Sequence, residues 1–73
     1  MNQPKHPILR LRQHLDLTQR ELSELTGVCQ HLISYYERWH KRPLGKNAMK
    51  FIAFANRVNF PLSLDEFYPP NYD

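Results

Sequence analysis

The chain has 73 residues, which suffice for one domain with one modest core, because a chain of this length buries only ~60% of the surface that it exposes when unfolded. Ten lysines and arginines against seven aspartates and glutamates give a formal charge of +3 and an isoelectric point near 9.3, which favours an anionic partner. The single cysteine cannot form an internal disulfide, and no apolar run approaches the ~20 residues of a membrane span or resembles a secretory signal. We therefore expect a soluble, cytoplasmic protein without a large enzymatic cavity.

The first predicted helix begins at Pro7 and ends near His14. The residues before it, 1–6, are polar and predict a flexible arm. Pro7 suits the first turn of a helix, where a missing amide costs little. Apolar residues at spacings of three and four predict one inward-facing side of this helix, made of Ile8, Leu11 and Leu15.

Two helices joined by a tight turn are predicted between Thr18 and Arg38. Thr18 followed three residues later by Glu21 is a capping box, in which each side chain satisfies the other's backbone amide, and it starts the second helix. Gly27 can take a positive φ without steric penalty, so the chain can turn sharply before a third helix begins near Cys29. This order of elements is that of a helix-turn-helix. Its predicted inward residues are Leu22, Val28, Ile33 and Tyr36.

The second half of the chain predicts a basic loop and two further helices. The loop covers residues 40–45, where a proline and a glycine interrupt the helical periodicity. A fourth helix is expected from Lys46 to Val58, and a second capping box opens a short fifth helix that ends before the prolines of the tail. We therefore expect a single all-α domain of five helices with a central helix-turn-helix, its core over about residues 7–68 and a flexible tail over residues 69–73.

The outward face of the third predicted helix carries groups that can contact nucleic acid. An α-helix fits the DNA major groove, and the side chains opposite Ile33 and Tyr36 can form hydrogen bonds to base edges or phosphates. The candidates for base reading are Gln30, His31, Ser34 and Tyr35. Beside a helix-turn-helix, nearby cations are candidates for phosphate binding. They are Arg38, Lys41, Arg42 and Lys46.

The segment LTQRELSELTGVCQHLISYYERWHKRP, residues 17–43, resembles the repressor/Cro-like (XRE-type) helix-turn-helix family, and a weaker similarity extends over residues 9–67. The positions that match the family pattern are Thr18, Gln19, Leu22, Ser23, Gly27, Val28, Ile33, Ser34, Glu37, Arg38, Arg42 and Pro43. The resemblance implies a five-helix domain whose third helix reads the major groove, with Gln30, His31 and Tyr35 facing the bases.

Further residue roles follow from the resemblance alone. It implies phosphate contacts from Thr18 and Gln19, and a structural ion pair between Arg12 and Glu37. Trp39 departs from the pattern, because it stands where the family usually has a glycine. A tryptophan resists the left-handed conformation in which such a glycine ends a helix, so the third helix is expected to run on or to end differently.

The expected function is that of a sequence-specific DNA-binding transcriptional regulator in a bacterium or phage, either a Cro-like repressor or a restriction-modification controller. A symmetric homodimer would set one copy of the third helix in each of two adjacent major grooves of a palindromic operator. Its expected contacts are the residues Phe60, Leu62 and Tyr68, together with Trp39. The segment from Phe60 to Tyr72 carries more aromatic and proline surface than so short a segment can bury in its own domain. The alternative is that this segment folds back over the first and fourth helices.

Three other classes of function fit the sequence less well. An antitoxin that represses its own operon is the nearest alternative, and a protein-interaction module such as a recruiter or anti-repressor could use the same fold. An enzyme has the least support, because the sequence offers no combination of nucleophile and base. No metal or cofactor is expected, since the four histidines do not follow a zinc-binding spacing and only one cysteine could join them.

Overall fold

The computed structural model describes residues 4–68, which form four α-helices and one short 3-10 helix and contain no strand. The helices are α1 (Pro7–His14), α2 (Gln19–Thr26), α3 (Gln30–Glu37), α4 (Gly45–Arg57) and the 3-10 helix (Leu64–Phe67). The predicted all-α class is thus confirmed. The predicted tail, residues 69–73, and half of the predicted arm lie outside the described residues. Within residues 4–68, no helix is long and apolar enough to cross a membrane.

The first two helices begin at side-chain caps. His6 precedes α1, and its Nδ1 accepts a hydrogen bond of 3.0 Å from the amide of Ile8. Thr18 precedes α2 and forms the predicted capping box: its Oγ1 accepts from the amide of Glu21 at 3.0 Å, and its own amide donates to Oε1 of Glu21 at 2.8 Å. These bonds satisfy amides that the first turn of a helix leaves without intrahelical partners.

Three of the four α-helices end with a residue other than glycine in the left-handed region. These residues are Asp16, Trp39 and Asn59, with φ of 57°, 63° and 59°. After α3, the amide of His40 donates to the carbonyl of Tyr35 at 2.9 Å and the amide of Trp39 donates to that of Tyr36 at 3.0 Å. This pair of bonds is the Schellman motif, which satisfies carbonyls at the end of a helix. Aspartate and asparagine tolerate the conformation, whereas a tryptophan in it is strained.

Trp39 keeps this left-handed conformation because its side chain is held in place. The expectation that α3 would run on or end differently is therefore wrong, since α3 ends at Glu37 and Trp39 takes the left-handed conformation. The indole nitrogen donates a hydrogen bond of 2.9 Å to the carbonyl of Pro4. The indole ring also packs on His6, with the ring centroids 4.4 Å apart. These contacts offset a backbone strain that is worth about 1–2 kcal/mol.

His6, which directly precedes α1, is fully buried. Its ring stacks on Phe67 at 5.7 Å on one side and contacts Trp39 on another. Burial and, to a smaller extent, the positive charge of Arg10 together lower its pKa to about 4. Because Nδ1 accepts from an amide, the proton of the neutral ring lies on Nε2, which is buried without a hydrogen-bond partner among the described residues.

The core is a single cluster to which every helix contributes. α3 packs against both α1 and α2, and α2 also contacts α4. The four residues predicted to face inwards from the helix-turn-helix are all buried, and Leu15 of the first predicted stripe is partly buried. The buried apolar residues are Ile8, Leu11, Leu22, Val28, Ile33, Tyr36, Ala48, Phe51, Phe54, Ala55, Leu62 and Phe67.

The sequence predicts a fifth helix after Ser63, where the structure has a 3-10 helix of four residues. Oε2 of Glu66 accepts from the amide of Ser63 at 3.0 Å and from its hydroxyl at 3.3 Å, so this turn is capped by a side chain. The prolines at 69 and 70 follow closely, and the residue before a proline disfavours the α conformation. The turn inserts Phe67 into the core and brings Glu66 within 3.2 Å of Arg10 on α1.

Candidate nucleic-acid interface

The turn between α2 and α3 is fixed by one glycine and one threonine. Gly27 has a φ of 79°, and its amide donates to the carbonyl of Ser23 at 2.8 Å. An added Cβ at Gly27 would meet no atom within 4 Å, so it is the positive φ, and not close packing, that favours glycine here. The hydroxyl of Thr26 donates to the carbonyl of Leu22 at 2.8 Å and accepts from the amide of Val28 at 3.3 Å. The turn therefore sets the start of α3 firmly relative to α2.

One face of α3 is buried and the other is open to solvent. Ile33, Tyr36 and Glu37 lie on the buried face. The open face lines a depression of about 350 Å³, which we call the α3 surface. It consists of Gln19, Gln30, His31, Ser34, Tyr35 and Arg38. The structure thus places all four candidates for base reading on one surface, and that surface includes no acidic residue.

Glu37 lies behind this surface and accepts three hydrogen bonds. Nε and Nη2 of Arg12 donate to its two oxygens at 2.7 and 3.0 Å, and Nε2 of Gln19 donates to Oε1 at 2.9 Å. A third nitrogen of Arg12, Nη1, donates to the carbonyl of Leu17 at 2.9 Å. The hydrogen bond to Glu37 raises the pKa of Arg12, which keeps its guanidinium charged. This network ties α1 and the start of α2 to the end of α3.

The same network sets the orientation of the Gln19 side chain. An ionised carboxylate can only accept hydrogen bonds, so Nε2 of Gln19 must point to Glu37. One N–H of this amide is then committed, and one remains to donate to a phosphate. The sequence did not indicate this contact, because it joins two residues that local patterns cannot relate.

The ring of Tyr35 lies near two cationic groups. The guanidinium of Arg38 lies 5.5 Å from the centroid of its ring, and Nζ of Lys41 lies 5.9 Å from it. The ring of His40 is 6.2 Å away. Cation–π contacts of this kind contribute roughly 0.5–1 kcal/mol at exposed sites. A candidate base reader and two candidate phosphate ligands are thus held together at one end of the α3 surface.

The remaining phosphate candidates occupy other places. Thr18 uses its oxygen as a cap acceptor and retains a hydroxyl proton that can be donated. Lys46 is exposed in the first turn of α4. Arg42 lies outside the α3 surface, with its guanidinium 4.3 Å above the ring of Tyr68. Arg42 and Tyr68 belong to a second depression, which we call the Leu44–Leu64 groove. It consists of Arg42, Pro43, Leu44, Gly45, Leu64 and Tyr68.

The four residues expected at a dimer contact do not share one surface. Leu62 is a core residue of its own chain, so its expected role as a dimer contact is wrong. Phe60 is half-buried and lies 4.8 Å from the ring of His14, and Trp39 is half-buried against His6. Only Tyr68 is exposed. Residues 60–67 thus fold back on α1 and the core, as the alternative interpretation of this segment holds.

Two of the apolar residues that are open to solvent were not expected at an interface from the sequence. Leu44 is 61% exposed and Leu64 is 51% exposed, and both line the Leu44–Leu64 groove. Both lie in or beside irregular segments, where no periodicity distinguishes an inward from an outward position. The groove is therefore an apolar surface that the monomer leaves uncovered in the part of the chain that the structure describes.

Cys29 and the histidines form no metal site within residues 4–68, where no group of three or more candidate ligands comes together. Cys29 is exposed and precedes α3, and its side chain makes no capping hydrogen bond. Comparison of the chain with protein-family models, with curated proteins and with solved structures found no match.

Proposed function

We propose that this protein binds DNA in a sequence-specific manner, with α3 in the major groove, and regulates transcription. The observation that carries the proposal is the α3 surface, which combines hydrogen-bonding side chains with a cation and includes no acidic group. An α-helix fits the major groove, where each base pair presents a distinct pattern of donors and acceptors. The buried face of α3 holds the helix in place, so its outer face meets a ligand without rearrangement.

The position of each group along α3 suggests its role. Residues near the start of a recognition helix reach base edges, and Gln30 and His31 occupy the first turn of α3. The amide of Gln30 can pair with both N6 and N7 of adenine. At the other end of the helix, Arg38 and Lys41 flank Tyr35 and suit phosphate contacts, which fix the register of the protein on the duplex.

Membership of the repressor/Cro-like family is part of the same proposal. The residues that match the family pattern in the sequence support it. The capped start of α2, the left-handed Gly27 and the pair of Arg12 with Glu37 are features that the resemblance implies, and they are present here. The single four-residue turn after α4 departs from the five-helix arrangement that the resemblance implies.

We also propose that the protein binds its operator as a homodimer through the Leu44–Leu64 groove. One helix contacts too few base pairs for useful discrimination, whereas two copies about 34–36 Å apart read a palindrome. Leu44 and Leu64 supply apolar surface that is already exposed, so its burial between two copies needs no rearrangement of the core. Arg42 and Tyr68 lie beside them and supply a polar margin.

The same exposed leucines favour one further candidate function. They suit a second, different protein, as in an antitoxin that binds its toxin and represses its own operon, or in a recruiter. A toxin partner that remains bound during purification would favour the antitoxin, whereas a tight protein partner together with no binding to any DNA at low salt would favour the recruiter.

The proposal is tested by selecting bound duplexes from a pool with a random central segment. We expect enrichment of one palindromic sequence and an affinity that falls as salt rises, because phosphate contacts release counterions. The enriched duplex is then compared with a shuffled duplex of equal length at each salt concentration. Equal affinity for the two duplexes, or no binding even at low salt, would contradict sequence-specific recognition.

A further inference from the structure

A separate concave surface, which we call the Trp39 cleft, lies between residues 4–5, α1, the end of α3 and the 3-10 helix. It has a volume of about 350 Å³ and shares no residue with the α3 surface. Its apolar part consists of four rings, those of Pro4, Pro7, Trp39 and Tyr68. Its polar part consists of three charged residues, Lys5, Arg10 and Glu66, with a net charge of +1.

The side chain of Trp39 is held in one orientation in this cleft by contacts within the protein. Its indole nitrogen is bonded to the carbonyl of Pro4 at 2.9 Å and its ring packs on His6, so the ring has little freedom to lose on binding. The side chain is nevertheless partly exposed and lines the cleft. Strained backbone conformations cluster at binding sites, and Trp39 keeps a φ of 63° that glycine would adopt without strain.

The two cations of the cleft, Arg10 and Lys5, make hydrogen bonds at the surface that a ligand can replace. Arg10 pairs with Glu66 at 3.2 Å, but the two side chains are 47% and 39% exposed. Lys5 donates to Oε1 of Gln13 at 3.0 Å, also at the surface. Exposed pairs of this kind contribute little to stability, because water solvates the separated groups well. A carboxylate that enters the cleft can therefore bind these two cations in place of their present partners.

We propose that the Trp39 cleft binds a small planar aromatic carboxylate, with its ring against Trp39 and its carboxylate on Arg10 and Lys5. Aromatic and proline rings favour a flat apolar ligand, and the excess of positive charge selects an anion. The volume lies at the low end of the range for small-molecule sites, roughly 300–1,000 Å³, which limits the ligand to one or two rings. This inference does not depend on DNA binding.

The test uses benzoate as the probe and the single tryptophan as the reporter. The chain has one Trp, so a ¹H–¹⁵N spectrum of the protein contains one indole N–H signal. We expect benzoate to shift this signal in a saturable manner. Benzamide, which has the same ring without the charge, and cyclohexanecarboxylate, which has the charge without the aromatic ring, should each bind at least roughly threefold more weakly.

Substitutions then locate the site. Arg10→Gln should weaken benzoate binding by roughly three- to tenfold, which corresponds to the loss of one charge-assisted hydrogen bond at an exposed position. Lys50→Gln removes the same charge from an exposed position on α4 outside the cleft and should leave the affinity unchanged. An unperturbed spectrum shows that each variant is folded. A shift that never saturates, equal binding of benzamide, or an equal loss in Lys50→Gln would overturn the proposal.

Discussion

Arg12 and Glu37 lie 25 positions apart in the sequence and meet through two hydrogen bonds of 2.7 and 3.0 Å, in a pair whose carboxylate side chain is only 5% exposed. Two bonds in parallel fix both the distance and the angle between the groups. Because Gln19 completes the set, the pair joins the ends of three helices at the back of the α3 surface. The position of α3 therefore depends on an ion pair that does not itself face the ligand.

Removing Arg12 should strongly destabilise the fold. Arg12→Met leaves Glu37 buried without its cationic partner, and we expect a loss of about 3 kcal/mol in the free energy of unfolding, measured by urea denaturation. Arg20→Met is the matched control, because its pair with Glu24 is 80% and 67% exposed and should contribute at most about 0.5 kcal/mol. Equal losses of unfolding free energy in the two variants would show that the buried pair stabilises the fold no more than the exposed pair does.

Substitutions of Trp39 should separate backbone strain from side-chain packing. Trp39→Ala loses the contacts with Pro4 and His6 and keeps a side chain in the left-handed region, whereas Trp39→Gly loses the same contacts and removes the strain. We expect both variants to be less stable than the natural chain, with Trp39→Gly about 1 kcal/mol more stable than Trp39→Ala. Thermal and urea unfolding measure the order of stability of the three proteins. If Trp39→Gly were no more stable than Trp39→Ala, the backbone at this position would not be strained.

The buried His6 should make stability depend on pH on the acidic side. Its pKa is about 4 in the folded chain, against 6.5 for an ordinary histidine, so the unfolded chain binds a proton between these values and the folded chain does not. Stability should therefore fall as the pH drops from 6.5 to 4, by up to about 3 kcal/mol, and His6 should contribute nothing further below pH 4.

The control for this pH dependence is His6→Asn, which can still cap α1 but does not titrate. Its stability at pH 7 should be lower, because the ring contacts with Trp39 and Phe67 are lost. The decline between pH 6.5 and 5 should be smaller than in the natural chain, when both are measured by urea denaturation at each pH. Parallel curves for the two proteins would assign the pH dependence to other groups.

Base-reading and phosphate-binding groups should respond differently to substitution. Gln30→Ala should lose roughly 1–3 kcal/mol of binding free energy for the selected duplex and leave binding to the shuffled duplex unchanged. Lys41→Ala should weaken binding to both duplexes and lower the slope of log K against log salt by about one. Arg42→Ala tests in the same way whether the phosphate contacts extend to the Leu44–Leu64 groove.

Lys50→Ala, on the exposed side of α4, is the control for the loss of a positive charge. It should change the slope less than Lys41→Ala does. Fluorescence anisotropy titrations across a salt series give both quantities. If Gln30→Ala reduced the affinity for both duplexes equally, Gln30 would not belong to the base-reading set.

The proposed homodimer should depend on the Leu44–Leu64 groove. Leu64→Asp places a charge in the proposed interface, and we expect it to shift the protein to a monomer in sedimentation equilibrium. Leu25→Asp is the matched control, because Leu25 is 53% exposed on α2 and lies outside the groove. A natural chain that stays monomeric at all concentrations, with and without the selected duplex, would exclude the dimer.

The four α-helices and the capping box of α2 were predictable because they depend on neighbours in the sequence. Thr18 with Glu21 and the positive φ of Gly27 are local features, and both are present as predicted. The end of α3 was not predictable in this way. Trp39 takes a conformation that its own chemistry disfavours, and the contacts that hold it come from Pro4 and His6, more than thirty residues earlier in the chain.

The candidate site was predictable where it follows helical periodicity and not elsewhere. The outward residues of α3 follow from the positions of Ile33 and Tyr36 on its inner side. Leu62 and Leu64 lie close together around an irregular segment, where one is 6% and the other 51% exposed. No repeat of the sequence distinguishes these two leucines, and only the packing of the 3-10 helix on the core does.

Because α3 has a buried and an open face, the residues that maintain the fold are different from the residues that can be substituted freely. Gln30, His31 and Arg38 are exposed, and the core contacts of the helix come from Ile33 and Tyr36. Exposed positions usually change stability by less than about 0.5 kcal/mol when substituted. A library that randomises these three positions should thus consist mostly of folded members. Under the proposed function, the DNA sequence that such a chain binds could be changed by substitution without first making the chain more stable.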